Sequence, residues 1–327
     1  MRRREFIALL GGAAATLPVA ARAQQEAMAV VGYLGAGSPA AGVQIVAALR
    51  QSLAEAGYVE GRNIAIQPHW AEGQYDRLPA MASEMARRQV AIIIATGGTA
   101  PALAAKAATT TIPVVFSVTD DPVALGLVAS LARPGGNATG VTFLLAELGA
   151  KQLGLLRELV PAATRIGLLV NPKNTTSNAQ TSDVVAAASH MGATIDVIRA
   201  SDSREIEVAF AALVRNRADA LLVGTDPFLY SRRVQLATLA ARHAIPAIYP
   251  VRENAEVGGL ISYGTSLTEV YRQVGGYTVR ILKGTKPADL PVVRSTKFEL
   301  VINLATARAL GLNVPPALLA RADEAIE

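Results

Sequence analysis

The chain has 327 residues, a formal net charge of +5, no cysteine and three histidines. Without cysteine it has no disulfide, thiolate nucleophile, Cys-based metal site or lipid-bearing cysteine. The basic excess is no nucleic-acid signature, because residues 1–23 carry four arginines and one glutamate and so leave only +2 on residues 24–327. His69, His190 and His243 are never spaced i, i+4, so neither a metal nor another cofactor is expected.

The N-terminus reads as an address. Arg2, Arg3 and Arg4 precede an apolar stretch from Phe6 to Ala15, and Ala21-Arg22-Ala23 ends it with a small-x-small cleavage pattern. That stretch is too short to span a bilayer, which takes about 20 apolar residues. Arg3-Arg4-Glu5-Phe6-Ile7 also fits the twin-arginine export pattern, with an ordinary arginine-rich secretory signal as the alternative. The expectation is cleavage after Ala23 and a periplasmic mature chain from Gln24.

From there strands and helices alternate. Apolar, β-branched runs AVVGYLGA (29–36), NIAIQPHW (63–70), VAIIIATGG (90–98) and IPVVFSVTD (112–120) are separated by helical patterns. In the first helix Ile45, Val46, Leu49 and Leu53 form one apolar stripe, with Gly57 after its last turn. Such alternation means βαβ units on a parallel sheet.

Pro134, Gly135 and Gly136 in RPGGNATGVTF (133–143) break the pattern, and then it resumes. Helix AELGAKQLGLLRELVP (146–161) leads into strands at 165–171, 194–200, 218–226, 245–249 and 258–264. A long helix (267–284), KPADLP and a final strand KFELVINL (297–304) come late, so they can return to either half. Residues 24–327 exceed what one compact core usually organises, so the expected fold class is α/β with two doubly wound parallel-sheet lobes.

In open parallel sheets ligands bind beyond the carboxyl ends of strands, at loops and helix N-termini. The loop Gly35-Ala36-Gly37-Ser38 begins like a dinucleotide fingerprint, but its third glycine, Gly42, comes two residues too late. Gly98-Thr99 opens a helix whose amides can accept a carboxylate, although Thr99 can equally be a plain cap. Ser117, Asp120 and Asp121 end the fourth strand. Asp121-Pro122 reads as a helix N-cap, while the paired carboxylates can receive an ammonium group. Asn171, Asn174 and Asp226 hold the same positions in the second half, and Tyr249 ends a later strand. No nucleophile–base pair stands among these ten residues, so the cleft binds rather than reacts.

Three stretches carry a resemblance. DPVALGLVASLARPGGNATGVTF and its following helix (121–161), the segment 217–291, and the tail TKFELVINLATARALGLNVPP (296–316) resemble bacterial ABC-transporter substrate-binding proteins, most nearly the rhizobial members. That family includes the periplasmic tryptophan/phenylalanine-binding proteins. The resemblance implies a type I periplasmic-binding fold with a multi-crossing hinge. Lobe one is expected over 24–145 plus about 262–288, and lobe two over 146–261 plus about 289–327. It further implies a monomeric, non-enzymatic receptor for a small polar or amino-acid-like solute, docking an ABC permease of the inner membrane. The matched positions are Gly35 to Ser38, Gly98-Thr99, Asp121 and its neighbours, Asn171 to Asn174, Asp226, and Tyr249 to Glu253. A periplasmic sensor on the same fold and an exported α/β enzyme remain open as alternatives. The enzyme is disfavoured because two-lobed racemases of this shape use a cysteine pair.

Overall fold

The computed structural model describes residues 28–143 and 146–327, and the expected leader at residues 1–23 lies outside the described residues. Lobe one contains β1 (Ala29–Gly35), α1 (Pro39–Glu55), β2 (Ile64–Trp70), α2 (Leu78–Arg87), β3 (Ile92–Thr96), α3 (Thr99–Ala108), β4 (Val114–Val118) and β5 (Ala138–Thr142). Lobe two contains α4 (Ala146–Leu159), β6 (Arg165–Val170), α5 (Ser177–His190), β7 (Thr194–Arg199), α6 (Ser203–Arg215), β8 (Ala220–Val223) and α7 (Pro227–Ser231). It continues through α8 (Arg233–Arg242), β9 (Ala247–Tyr249), α9 (Arg252–Glu256) and β10 (Ile261–Thr265). The chain then returns for α10 (Leu267–Leu282) and β11 (Val293–Arg294), and finishes with β12 (Phe298–Asn303), α11 (Leu304–Ala309), α12 (Pro316–Leu319) and β13 (Glu324–Ile326).

Two sheets result, with strand orders β11-β5-β4-β3-β1-β2 and β13-β12-β10-β9-β8-β6-β7. Every pair is parallel except β10 with β12. Period-two alternation explains the double winding. Val31, Tyr33, Ile92 and Ile94 face Leu49 and Leu53 of α1 and Val270 and Val274 of α10. Leu34, Ile93, Ala95 and Phe116 face Leu78 and Met85 of α2 and Ala102 of α3. In lobe two, Ile166, Leu168 and Val170 pack with Leu156 of α4 and Val184 of α5, while Leu169 and Leu221 pack with Phe210 of α6 and Leu236 of α8.

Among the described residues the chain crosses between sheets three times, after β5, after β10 and after β11. The return to lobe one runs later than the expected 262–288. Ile261–Thr265 pairs inside the second sheet, and Val293 and Arg294 still pair with Val141 and Thr142 of β5. The reason is hydrogen bonding along the β5 edge: Thr139 donates its hydroxyl to the Leu290 carbonyl (2.6 Å), and the Ser295 amide donates to Thr142 (2.8 Å). On the other face, α10 lies close against α1 because a Cβ at Gly275 would stand 2.6 Å from that of Ser52.

Two local readings differ. The segment read as a break contains β5, where Gly140 is needed because a Cβ there would lie 2.0 Å from the Phe116 carbonyl oxygen. No helix follows Asp121-Pro122. The chain makes turns there, with the Asp121 carboxylate accepting the Val123 amide (2.9 Å) and its carbonyl the Leu125 amide (3.0 Å).

Candidate ligand-binding site

The carboxyl ends of β1, β3, β4, β8 and β9 converge on a cavity of about 100 Å³ between the lobes, room for several waters or one small solute. Lobe one contributes Tyr33, the Gly35–Ser38 loop, Trp70, Thr96 to Gly98, Ser117 and Thr119, and lobe two contributes Asn174, Thr225, Asp226, Pro227, Tyr230, Pro250 and Val251. The crossings supply Phe143, Leu148, Thr265, Leu267 and Tyr271.

One wall is aromatic. Trp70 ends β2 and packs on Tyr33 with ring centroids 4.8 Å apart. Gly35 and Gly42 make its slot: a Cβ would lie 2.7 Å from the indole at Gly35 and 2.0 Å at Gly42. The late third glycine of the loop therefore serves tryptophan packing, not a pyrophosphate.

Beneath that wall lies a set of hydroxyls. Thr96 donates to the buried Tyr33 phenol oxygen (2.8 Å), and the Tyr271 hydroxyl reaches Tyr33, Thr96 and Ser117. Burial pushes both phenols above their ordinary range, so they are neutral donors and acceptors. At the rim, the Ser38 side chain caps α1, accepting from the Ala41 amide (3.4 Å). Gly97 and Gly98 take left-handed conformations on the cavity wall and turn the chain into α3.

Asp226, 5% exposed, organises the lobe-two side. One oxygen accepts from Leu229 N (2.9 Å) at the start of α7, and the other accepts from the Tyr75 hydroxyl (2.6 Å) and Asn174 Nδ2 (3.1 Å). Asn171 Nδ2 bridges both oxygens at 3.2 Å. Burial pushes this carboxyl above the ordinary carboxylate range, and the four donors pull against that shift.

Nearby polar atoms are left over. Among the described residues the Tyr230 and Thr265 hydroxyls on the cavity wall have no hydrogen-bond partner, and neither does one oxygen of the buried Glu253. Burial raises the Glu253 carboxyl above its usual range, and the Glu253 charge in turn pushes the Tyr230 and Tyr271 phenols further up. The Arg233 guanidinium covers the Tyr230 ring at 4.8 Å. A buried polar atom without a partner costs about 1–3 kcal/mol, so these oxygens favour a ligand that brings hydrogen-bonding groups.

Of the ten residues singled out in the sequence, Ser38, Gly98, Ser117, Asn174 and Asp226 line the cavity. Thr99 and Asp120 sit just behind it, where the Thr99 hydroxyl donates to the Asp120 carboxylate, which also accepts from Thr119 (3.2 Å). Asn171 is buried behind Asp226. Asp121 is exposed on its turn, and Tyr249 lies in the lobe-two core under Phe210, with its neighbours Pro250 and Val251 reaching the cavity instead. Sequence reasoning missed Tyr33, Trp70, Tyr75, Tyr230 and Tyr271. The two glycines around Trp70 were the available signal. Among the described residues no group of three or more His, Asp or Glu is placed to hold a metal, and no helix is long and apolar enough to cross a membrane.

Comparison with known proteins places this geometry. The family described as ABC transporter substrate binding protein matches residues 38–326. A tyrosine-binding protein of Clostridioides difficile is 29% identical over 80% of this chain and 75% of its own length. A domain from Streptococcus pneumoniae in complex with L-Trp superposes with a TM-score of 0.81 at 27% identity, covering 92% of this chain and all of that one. The ligand-free, open structure of a substrate-binding protein with adhesive properties from Clostridium difficile reaches only 0.63 at 26% identity, covering 91% and 99%. By the extent of the family match, the chain belongs to the ABC transporter substrate-binding protein family.

Proposed function

We propose that this chain is an exported solute receptor that captures an aromatic amino acid between its lobes and delivers it to an ABC permease of the inner membrane. The observation that carries this reading is the cavity wall of Tyr33, Trp70, Tyr230 and Tyr271, built from both lobes and the third segment after the crossing. Aromatic faces favour a ring by offset or edge-on packing, which adds about 0.5–1.5 kcal/mol beyond area burial. Ser38 and the Gly97–Gly98 turn at the start of α3, both on the cavity wall, suit the ligand carboxylate, and the oxygens of Tyr230 and Thr265, without a partner among the described residues, suit its donors. The relatives crystallised with L-Trp and named for tyrosine support the same ligand class.

The chain works as a monomer in the periplasm, with residues 1–23 removed. Ligand contacts are completed by both lobes, so binding stabilises closure. A thermal-shift panel on residues 24–327 tests the reading. At a concentration about 100-fold above the dissociation constant a ligand stabilises by about 2.7 kcal/mol. L-Trp, L-Tyr or L-Phe should raise the melting temperature by several degrees, while leucine, glutamate and glucose should not. A shift with a non-aromatic solute alone overturns the proposal. N-terminal sequencing of the periplasmic protein should start at Gln24.

A further inference from the structure

We propose that Tyr75 is a positioning residue: its hydroxyl clasps Asp226 across the cleft, and this interlobe bond sets how readily the cleft closes on any ligand. The clasp rests on capture by closure, not on which ligand is captured.

Tyr75 is not on the cavity wall, yet its hydroxyl donates to Asp226 at 2.6 Å over a separation of 151 residues. Both ends are rigidly held. The chain after β2 is pinned to the β1–α1 loop by three backbone bonds, Ala71 to Gly35 (2.8 Å), Glu72 to Gly37 (2.9 Å) and Gly73 to Ala36 (2.8 Å). Asp226 is fixed by Asn171, Asn174 and the Leu229 amide, all within lobe two. Those bonds survive when the lobes part. Only the bond to Tyr75 crosses between lobes, so it alone among the five is gained on closing.

Counting acceptor sites separates the clasp from ligand contact. A carboxylate offers about four, and the donors Asn171, Asn174, Leu229 and Tyr75 fill them. Asp226 therefore has no free lone pair for a ligand ammonium and acts through closure instead. The bond is also partly shielded. Small residues let α7 nestle into lobe one: a Cβ at Gly73 would stand 3.2 Å from that of Phe228, and Pro227 lies 3.5 Å from one at Gly97. The Asp226 end of the bond is thus buried while the Tyr75 end is half-buried.

The test is Tyr75→Phe, which keeps the ring and removes only the donor. The chain lacks cysteine, so spin labels at Val43→Cys in α1 (65% exposed) and Val234→Cys in α8 (58% exposed) report lobe separation without background. Label distances are measured with and without L-Trp, and affinities for L-Trp and L-Tyr by calorimetry. In wild type a short-distance population should be present, and Tyr75→Phe should deplete it. Affinity for each bound ligand should fall by a common factor of about ten, as the closing-competent fraction falls. A wild type with no short-distance population under either condition overturns the clasp. So does a short population that Tyr75→Phe leaves intact, or a loss confined to one ligand. If no aromatic amino acid binds wild type, the ligand assignment fails, and the label distances still decide the clasp.

Discussion

On the lobe-one side of the cleft the polar atoms are engaged before any ligand arrives: Thr96 bonds Tyr33, Thr99 and Thr119 bond Asp120, and Ser38 caps its helix. On the lobe-two side one carboxylate, Asp226, ties α7, Asn171, Asn174 and lobe one together, while Tyr230 and Glu253 keep oxygens without partners. The difference assigns the walls unequal work. Lobe one is a prearranged receiving surface, and lobe two is an incomplete cover whose shape depends on a single residue. Preorganising one wall limits the ordering cost of binding, and leaving the other unfinished couples ligand contact to closure.

The hardest way to break that asymmetry is Asp226→Ala. It strands the buried amide of Asn171, takes an acceptor from the half-buried Asn174 and removes the cap of α7, the first and last losses costing about 1 kcal/mol or more each. Urea unfolding should show a loss of about 2–4 kcal/mol, together with weakened binding. Stability equal to wild type would refute the role given to Asp226. Trp70→Ala tests the opposite wall. Losing its ring face should weaken aromatic ligands by roughly 30-fold or more, from about 2 kcal/mol of lost apolar contact. Gly42→Ala should act in the same direction, because its methyl needs the space of the indole. An aromatic ligand that binds Trp70→Ala normally is not held by this wall.

Tyr230→Phe sharpens the comparison. It deletes an oxygen without a partner among the described residues, so the unliganded melting temperature should hold or rise slightly. If that oxygen bonds the ligand, affinity falls by roughly 3- to 10-fold, from about 0.5–1.5 kcal/mol. Unchanged affinity would mean the hydroxyl stays unused.

Smallest is the pH effect of Glu253. Its carboxyl is raised by burial, so the folded chain holds that proton more tightly than the unfolded chain. Stability is then lost as pH rises from the unfolded carboxylate range through the higher folded value. Glu253→Gln does not titrate and escapes that loss. Its melting temperature relative to wild type should therefore improve from pH 4 to pH 8, and a difference that stays flat with pH would contradict the burial argument.

The strands were legible because β-branched runs alternate cleanly with amphipathic helices, and strand-end logic found Ser38, Gly98, Ser117, Asn174 and Asp226. That logic looks only at loops. Tyr33 sits inside β1, Trp70 ends an edge strand, and Tyr271 lies in α10 beyond a crossing, so the aromatic wall exists only after three segments fold together. Asp226 was readable as a cap, but its knot needs Asn171 and Tyr75, far away in sequence. Asp121 and Tyr249 fit the pattern equally well and face solvent and core, because a strand end fixes a position and leaves the side-chain direction open.

Calorimetric titration of residues 24–327 with L-tryptophan and L-tyrosine, against L-leucine as an amino acid without the ring, addresses the central claim directly. Saturable binding of one aromatic ligand per chain, with leucine weaker by about 100-fold or roughly 2.7 kcal/mol, is the predicted result. Leucine binding as tightly as either aromatic amino acid, or no heat from both, would contradict it.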